Sequence, residues 1–199
     1  FSRMTQAPPE KIQQDALSTA DVDGLGAIGQ WMITPDGVIA HWLGILHDGK
    51  PFREPINVIV VDSGATDADD ACARLDKAMH DAGYPARTGH SSGYGGVIDG
   101  TVHGQLPEKK DHAYSTHPFM ENNNHGRVFG PHKTDRGWVF IAALSRENVD
   151  YDHAPPEHVY ASFDRARDDL AAALDEKSIF HRTGTVALNN AATADAGFY

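Results

Sequence analysis

Six of the chain's 12 histidines, His90, His103, His112, His117, His125 and His132, fall within 43 residues. Carboxylates stand among them at Asp99, Asp111, Glu121 and Asp135. Imidazole with carboxylate is a donor set for zinc and iron, so His103, His112, His125 and His132 are candidate ligands for a divalent metal such as zinc. Their spacing contains neither an H-E-x-x-H pair nor a facial triad. Arg127 follows His125 by two residues, and on a strand alternation places both on one face with Phe129. An arginine beside a histidine favours an anion or carboxylate over a metal cation, and the plain alternative is histidines that are solvated or hydrogen-bonded within the fold.

A second chemical pattern is Gly89-His-Ser-Ser-Gly-Tyr-Gly-Gly96, which contains the G-x-S-x-G of a hydrolase nucleophile elbow. An elbow needs a strand entering the serine and a helix leaving it. The run Gly93-Tyr-Gly-Gly96 cannot hold a helix, so Ser91 reads as part of a glycine-rich turn whose backbone amides contact either a ligand anion or nothing. His90, Ser91 and Tyr94 therefore join His117, His125, Arg127 and Asn124 as candidate ligand-binding residues, with the Asn122-Asn123-Asn124 turn closing the groove.

These residues need a scaffold. Pro55 and the β-branched run Val58-Ile-Val-Val61 predict a central strand covered on both faces, ending at Asp62. Asp62 either contacts a ligand or organises the following turn. Thr66 and Asp69 form a capping pattern, and Ala68, Cys72, Leu75, Met79 and Ala82 lay an apolar stripe along a helix over 66–82 that ends at Gly83. From residue 85 the period shortens to strands at 85–88, 97–98, 101–103, 113–119, 125–129 and 138–144, with Asp99-Gly100 as a hairpin turn. Ser162 then caps a second helix with Phe163, Ala166, Leu170 and Leu174 on one face, and 179–188 reads as a closing strand. Residues 1–50 form an N-terminal packing arm: Pro8-Pro9 opens a short helix to Leu17, and Val38, Trp42 and Ile45 recur at helical spacing, with a strand as the alternative. The tail to Tyr199 is poorly specified. The whole predicts an α+β domain over 1–199, a two-layer mixed β-sheet with helices packed on it and a core over 53–188.

Composition narrows the partners. A net charge of −11 repels nucleic-acid backbones and anionic membranes, and no basic patch compensates. No apolar run approaches the roughly 20 residues of a membrane span. The single Cys72 excludes an internal disulfide and reads as a small buried hydrophobe. An opening Phe1 leans toward export with a removed leader.

Four segments together look like the LssY-like C-terminal domain: Glu54-Pro55-Ile-Asn-Val-Ile-Val-Val61, the helix end Asp81-Ala-Gly-Tyr84, His125-Gly-Arg-Val-Phe129, and Trp138-Val-Phe-Ile-Ala-Ala143. That family pairs a DP-hydrophobic strand with an AGW helix end, an HHVRxW strand and a WVGAA strand. The resemblance covers roughly residues 53–176. Tyr84 stands where the family has Trp, Gly126 where it has a second His, and Phe140-Ile141 where it has Val-Gly. The domain occurs alone and fused to membrane proteins of the lipid-phosphatase type, so the resemblance implies an accessory role and carries over His125 and Arg127. The expectation is a domain binding a small-molecule or cell-envelope ligand in a His/Arg-lined groove. The alternative is a metal-dependent hydrolase with Asp111 or Glu121 as general base.

Overall fold

The computed structural model describes residues 11–42 and 52–190. The Pro8-Pro9 helix start, Ile45 and the tail beyond residue 190 lie outside the described residues. Among the described residues ten strands and two helices follow one another: β1 (Thr19–Val22), β2 (Gly26–Gly29), β3 (Val58–Asp62), α1 (Ala68–Asp81), β4 (Ala86–Thr88), β5 (Gly95–Ile98), β6 (Thr101–Leu106), β7 (His112–Ser115), β8 (Asn123–Thr134), β9 (Gly137–Asp150), β10 (Glu157–Ser162) and α2 (Phe163–Lys177). This is an α+β arrangement richer in strand than in helix. Every ladder among these strands is antiparallel, so the sheet is not the mixed one expected.

The spine is the long β8–β9 hairpin. On the β8 side it pairs with β6 and β7, and on the β9 side with β3 at Trp138 to Ala142 and with β10 at Arg146 to Asp150. A bulge between Phe129 and His132 lets β8 continue past Gly130-Pro131, where the sequence stops reading as a strand. The Asp99-Gly100 turn joins β5 to β6 with φ of 48° and 80°, positive at both central residues as a tight hairpin requires.

Each face of the spine is covered by a different part of the chain. Val128, Phe140, Ala142 and Leu144 pack against Leu75, Ala78 and Met79 of α1 and Ala166, Leu170 and Leu174 of α2. Phe129, Val139, Ile141 and Ala143 pack against Ile28, Met32, Ala40 and Ile56 from the N-terminal segment. That segment is extended: Ile33 bridges Ile39 and Gly95, and His41 bridges Arg53, so the helical spacing of Val38 and Trp42 is not a helix. Among the described residues, a short 3-10 turn over Gln14–Leu17 precedes β1.

β3 corrects the expected central strand. Among the described residues it pairs with β9 alone, so it lies at an edge. Both its faces are nonetheless covered, Val58 and Val60 toward the helices and Ile59 and Val61 toward the N-terminal segment. A run of β-branched residues reports covered faces, not hydrogen-bonded neighbours. Asp62 organises the turn: Oδ1 accepts from the amides of Gly64 and Ala65 at 2.9 and 3.0 Å, and Arg74 Nε donates to Oδ2 at 2.7 Å.

In α1 the N-cap is Asp67, which accepts from Asp70 N at 2.8 Å while Asp70 reaches back to Thr66 N at 2.9 Å. The C-terminus closes as expected, with Gly83 at φ 87° and the amides of Gly83 and Tyr84 bonded to His80 O and Met79 O. Cys72 is half-buried at the flank of the apolar stripe. Ser162 caps α2 through Arg165 N at 3.0 Å, and the four predicted apolar residues are its buried face. Residues 179–188 form no strand. Both edges of the spine are already taken there, and the segment is tethered instead at its end: Gln30 Nε2 donates to Leu188 O at 2.7 Å, and Asn190 Nδ2 to Ile56 O at 2.6 Å. No helix among the described residues is long and apolar enough to cross a membrane.

Candidate functional site: a buried histidine, carboxylate and arginine cluster

Alternation on β8 sends Asn123, His125, Arg127 and Phe129 to the face turned toward the N-terminal segment, opposite Glu147, Ser145, Ala143 and Ile141 of β9. Phe129 and Ile141 are core. The other end of the same face is polar and still buried: Asn123, His125, Arg127, Ser145 and Glu147 are each no more than 5% exposed. Four further segments close over it. The β4–β5 loop brings His90, Ser91 and Tyr94, the β7–β8 loop Phe119, β10 His158, and the stretch before β3 Glu54.

The aromatic rings form a continuous stack. His125 stacks on His90 at 5.0 Å between centroids, His90 meets Phe119 edge-on at 5.4 Å, and Phe119 lies 4.1 Å from His158. Glu147 sits between two of these imidazoles, its Oε1 3.1 Å from His158 Nδ1 and 3.7 Å from His125 Nδ1, neither in hydrogen-bonding alignment. Its one aligned donor is Asn123 Nδ2, at 3.2 Å. Ser145 Oγ stands 3.4 Å from His125 Nε2. Arg127 donates through Nε and Nη2 to Ser91 O at 3.2 and 3.1 Å and through Nη2 to Ser91 Oγ at 2.9 Å, with its guanidinium 4.8 Å from the Tyr94 ring centre.

Burial sets the protonation states. It drives the His90 pKa down to about 4, helped by the charge of Arg127, and holds His125 well below its ordinary value for the same two reasons. Both rings are therefore neutral at neutral pH. Burial also raises Glu54, against the lowering charge of Arg127, and raises Glu147, against His158 and Asn123. The nitrogens His90 Nε2 and His125 Nδ1 and both nitrogens of His158 are buried without a hydrogen-bond partner.

The predicted ligand residues His90, Ser91, Tyr94, His125 and Arg127 thus come together. His117 does not: it is exposed beside Thr116 Oγ1. Asn124 points through the opposite face, where Nδ2 donates to Tyr84 OH and Asp169 Oδ2 at 3.1 and 3.0 Å and ties the sheet to the helices. The four candidate metal ligands are dispersed. His103 faces His132, His112 Nδ1 meets Lys110 O, and His125 is in the buried stack. Among the described residues no group of three or more His, Cys, Asp or Glu is arranged to hold a metal ion. Asp111 and Glu121 are exposed, and the buried carboxylates are Glu54 and Glu147.

No family model, curated protein or solved structure matches the chain. Glu147 and Ser145 were within reach of sequence reasoning, because extending the alternation of Trp138 to Leu144 by three residues places both on the His125 face. His158, Phe119 and Glu54 carry no such signal, since separate elements deliver them. Ser91 lacks the surroundings of a nucleophile: its hydroxyl is held by Arg127 Nη2 and Tyr94 OH, and the strand β5, not a helix, follows it.

Proposed function

We propose that the chain binds a small polar ligand in the cluster of His90, His125, His158, Glu147 and Arg127. The observation that carries this reading is the set of four buried ring nitrogens without partners. Each such group costs about 1–3 kcal/mol when left unpaired, and a packed apolar site would avoid that cost. The neutral His90 and His125 rings each offer one N–H donor and one acceptor, so they suit a ligand that both gives and accepts hydrogen bonds, such as a hydroxylated molecule. Glu54 and Glu147 oppose a free anion, and Arg127 is already engaged by Ser91. An apolar portion of the ligand has a surface to meet: Met120, the residue after Phe119, and Tyr151, whose OH bonds to Met120 O, are 42% and 61% exposed. A cell-envelope saccharide or lipid headgroup meets these requirements, in keeping with the accessory role implied by the LssY-like resemblance.

The test is a screen of polyols, sugars and short-chain glycolipids, read by the imidazole 15N signals of the purified chain. Hits move the His90, His125 and His158 rings and fail to bind His158→Phe. Hits that leave those rings unmoved and bind His158→Phe equally well overturn the reading.

One observation favours a second reading, hydrolysis. Ser145 Oγ, His125 and Glu147 Oε1 stand in the order of nucleophile, base and orienting carboxylate, at 3.4 and 3.7 Å. Covalent labelling by a fluorophosphonate that Ser145→Ala abolishes distinguishes it from binding alone.

A further inference from the structure

A second histidine pair lies apart from the buried stack. His103 on β6 and His132 on β8 are half-buried, with Nε2 of the first 3.0 Å from Nδ1 of the second. The rings are nearly perpendicular, at 82°, and their centroids are 5.1 Å apart. The bulge between Phe129 and His132 makes this meeting possible, because it restores His132 to the face that Phe129 occupies. We infer that His103 and His132 form a two-ligand site for a single divalent transition metal, with zinc the favoured ion.

The argument is geometric. Two imidazoles bound to one tetrahedral ion at about 2.1 Å hold their nitrogens about 3.4 Å and their ring centroids about 5 Å apart. The centroid separation is already that of the bound state, and the nitrogens have to part by only a few tenths of an ångström. The ion takes the place of the hydrogen shared between the two nitrogens, and that hydrogen passes to the other ring nitrogen of the donating imidazole. Partial exposure leaves the remaining coordination positions to water or to an external ligand, which is how an open site differs from a closed structural cage. The two histidines come from strands that are not neighbours in sequence, so the chelate bridges β6 and β8 near the bulge. Metal binding there resists the parting of β6 from β8 and raises thermal stability by mass action.

The experiment uses the full chain in a non-chelating buffer at neutral pH, titrated calorimetrically with zinc chloride alone, and with cobalt chloride for spectroscopy. The expected result is one saturable ion per chain, a rise in Tm with zinc, and paramagnetic cobalt shifts centred on the His103 and His132 rings. His103→Gln and His132→Gln each lose the saturable phase, while His153→Gln keeps it. Metal-free thermal unfolding of each variant close to that of the wild type shows that folding is not the cause. Absence of saturable zinc binding, or binding that survives in both His103→Gln and His132→Gln, overturns the inference. Neither outcome bears on the buried stack, whose ligand screen is read on different rings.

Discussion

The two faces of the β8–β9 hairpin are made by the same two strands, yet their buried polar groups are treated differently. Toward the helices, Val128, Ala142 and Leu144 join an apolar cluster, Asn124 is paired with Tyr84 OH and Asp169 Oδ2, and Gly126 is small because a Cβ there would come within 2.3 Å of Leu144 Cδ1. Toward the N-terminal segment, the same hairpin carries His125, Arg127, Ser145 and Glu147 into a site where several ring nitrogens are unpaired. Burial alone therefore does not distinguish core from site. The distinction is whether each buried group has a partner of matching chemistry, since an apolar group needs only contact and a polar one needs a donor or acceptor.

That contrast has measurable consequences. The largest belongs to the helix-covered face: Leu75→Ala, at a position with no exposure, is expected to lose about 2–5 kcal/mol in urea denaturation. A loss under half of the lower figure would show that this face is not the fold's main core. Next comes Arg127→Ala, expected to cost about 2–4 kcal/mol, because it frees the Ser91 carbonyl and leaves Glu54 without its neighbouring cation. A fully stable Arg127→Ala that fails only in ligand binding would assign the arginine to the ligand and not to the fold.

Acid sharpens the contrast further. His90 titrates at about 4 in the folded chain against 6.5 ordinarily, so between those values the unfolded chain takes up the proton and the folded chain does not. Its contribution to stability is present above pH 6.5, falls as the pH drops toward 4, and levels off below. Glu54 and Glu147, raised by burial, act in the opposite sense, and comparison with His90→Phe cancels them. The wild type is expected to lose about 1–3 kcal/mol more than His90→Phe on acidification through this window. Equal losses would mean that His90 is not held neutral by burial. The smallest effect is expected from His158→Phe: a change in stability within about 1 kcal/mol, or a gain, because two unpaired nitrogens are exchanged for a ring that packs on Phe119. A loss of several kcal/mol would show that His158 is a structural partner of Glu147.

Much of the scaffold was legible. The α1 stripe, the Gly83 stop, the Asp99-Gly100 hairpin and the Ser162 cap are all local devices, decided within one or two turns of chain. Other features misled for identifiable reasons. The β-branched run of β3 looked central because both faces are covered, although its hydrogen-bonding neighbours are few. β8 and β9 outlast their apolar runs because the bulge after Phe129 and the polar residues of the site continue the ladder. The Val38 and Trp42 spacing suited a helix, but bridges to distant residues hold the segment extended.

The sequence by itself determined that His125 and Arg127 share a direction, because alternation along a strand is a property of the backbone alone. It also placed His90, Ser91 and Tyr94 on one glycine-rich loop. Only the tertiary structure decided that this loop folds onto His125, that Glu147, Glu54 and His158 arrive from three other segments, and that His103 meets His132 while His112 and His117 do not. The reason is physical: strand period and turn chemistry act over a few residues, whereas the meeting of side chains from separate strands depends on register, bulges and which faces are covered. Those follow from the packing of the whole chain.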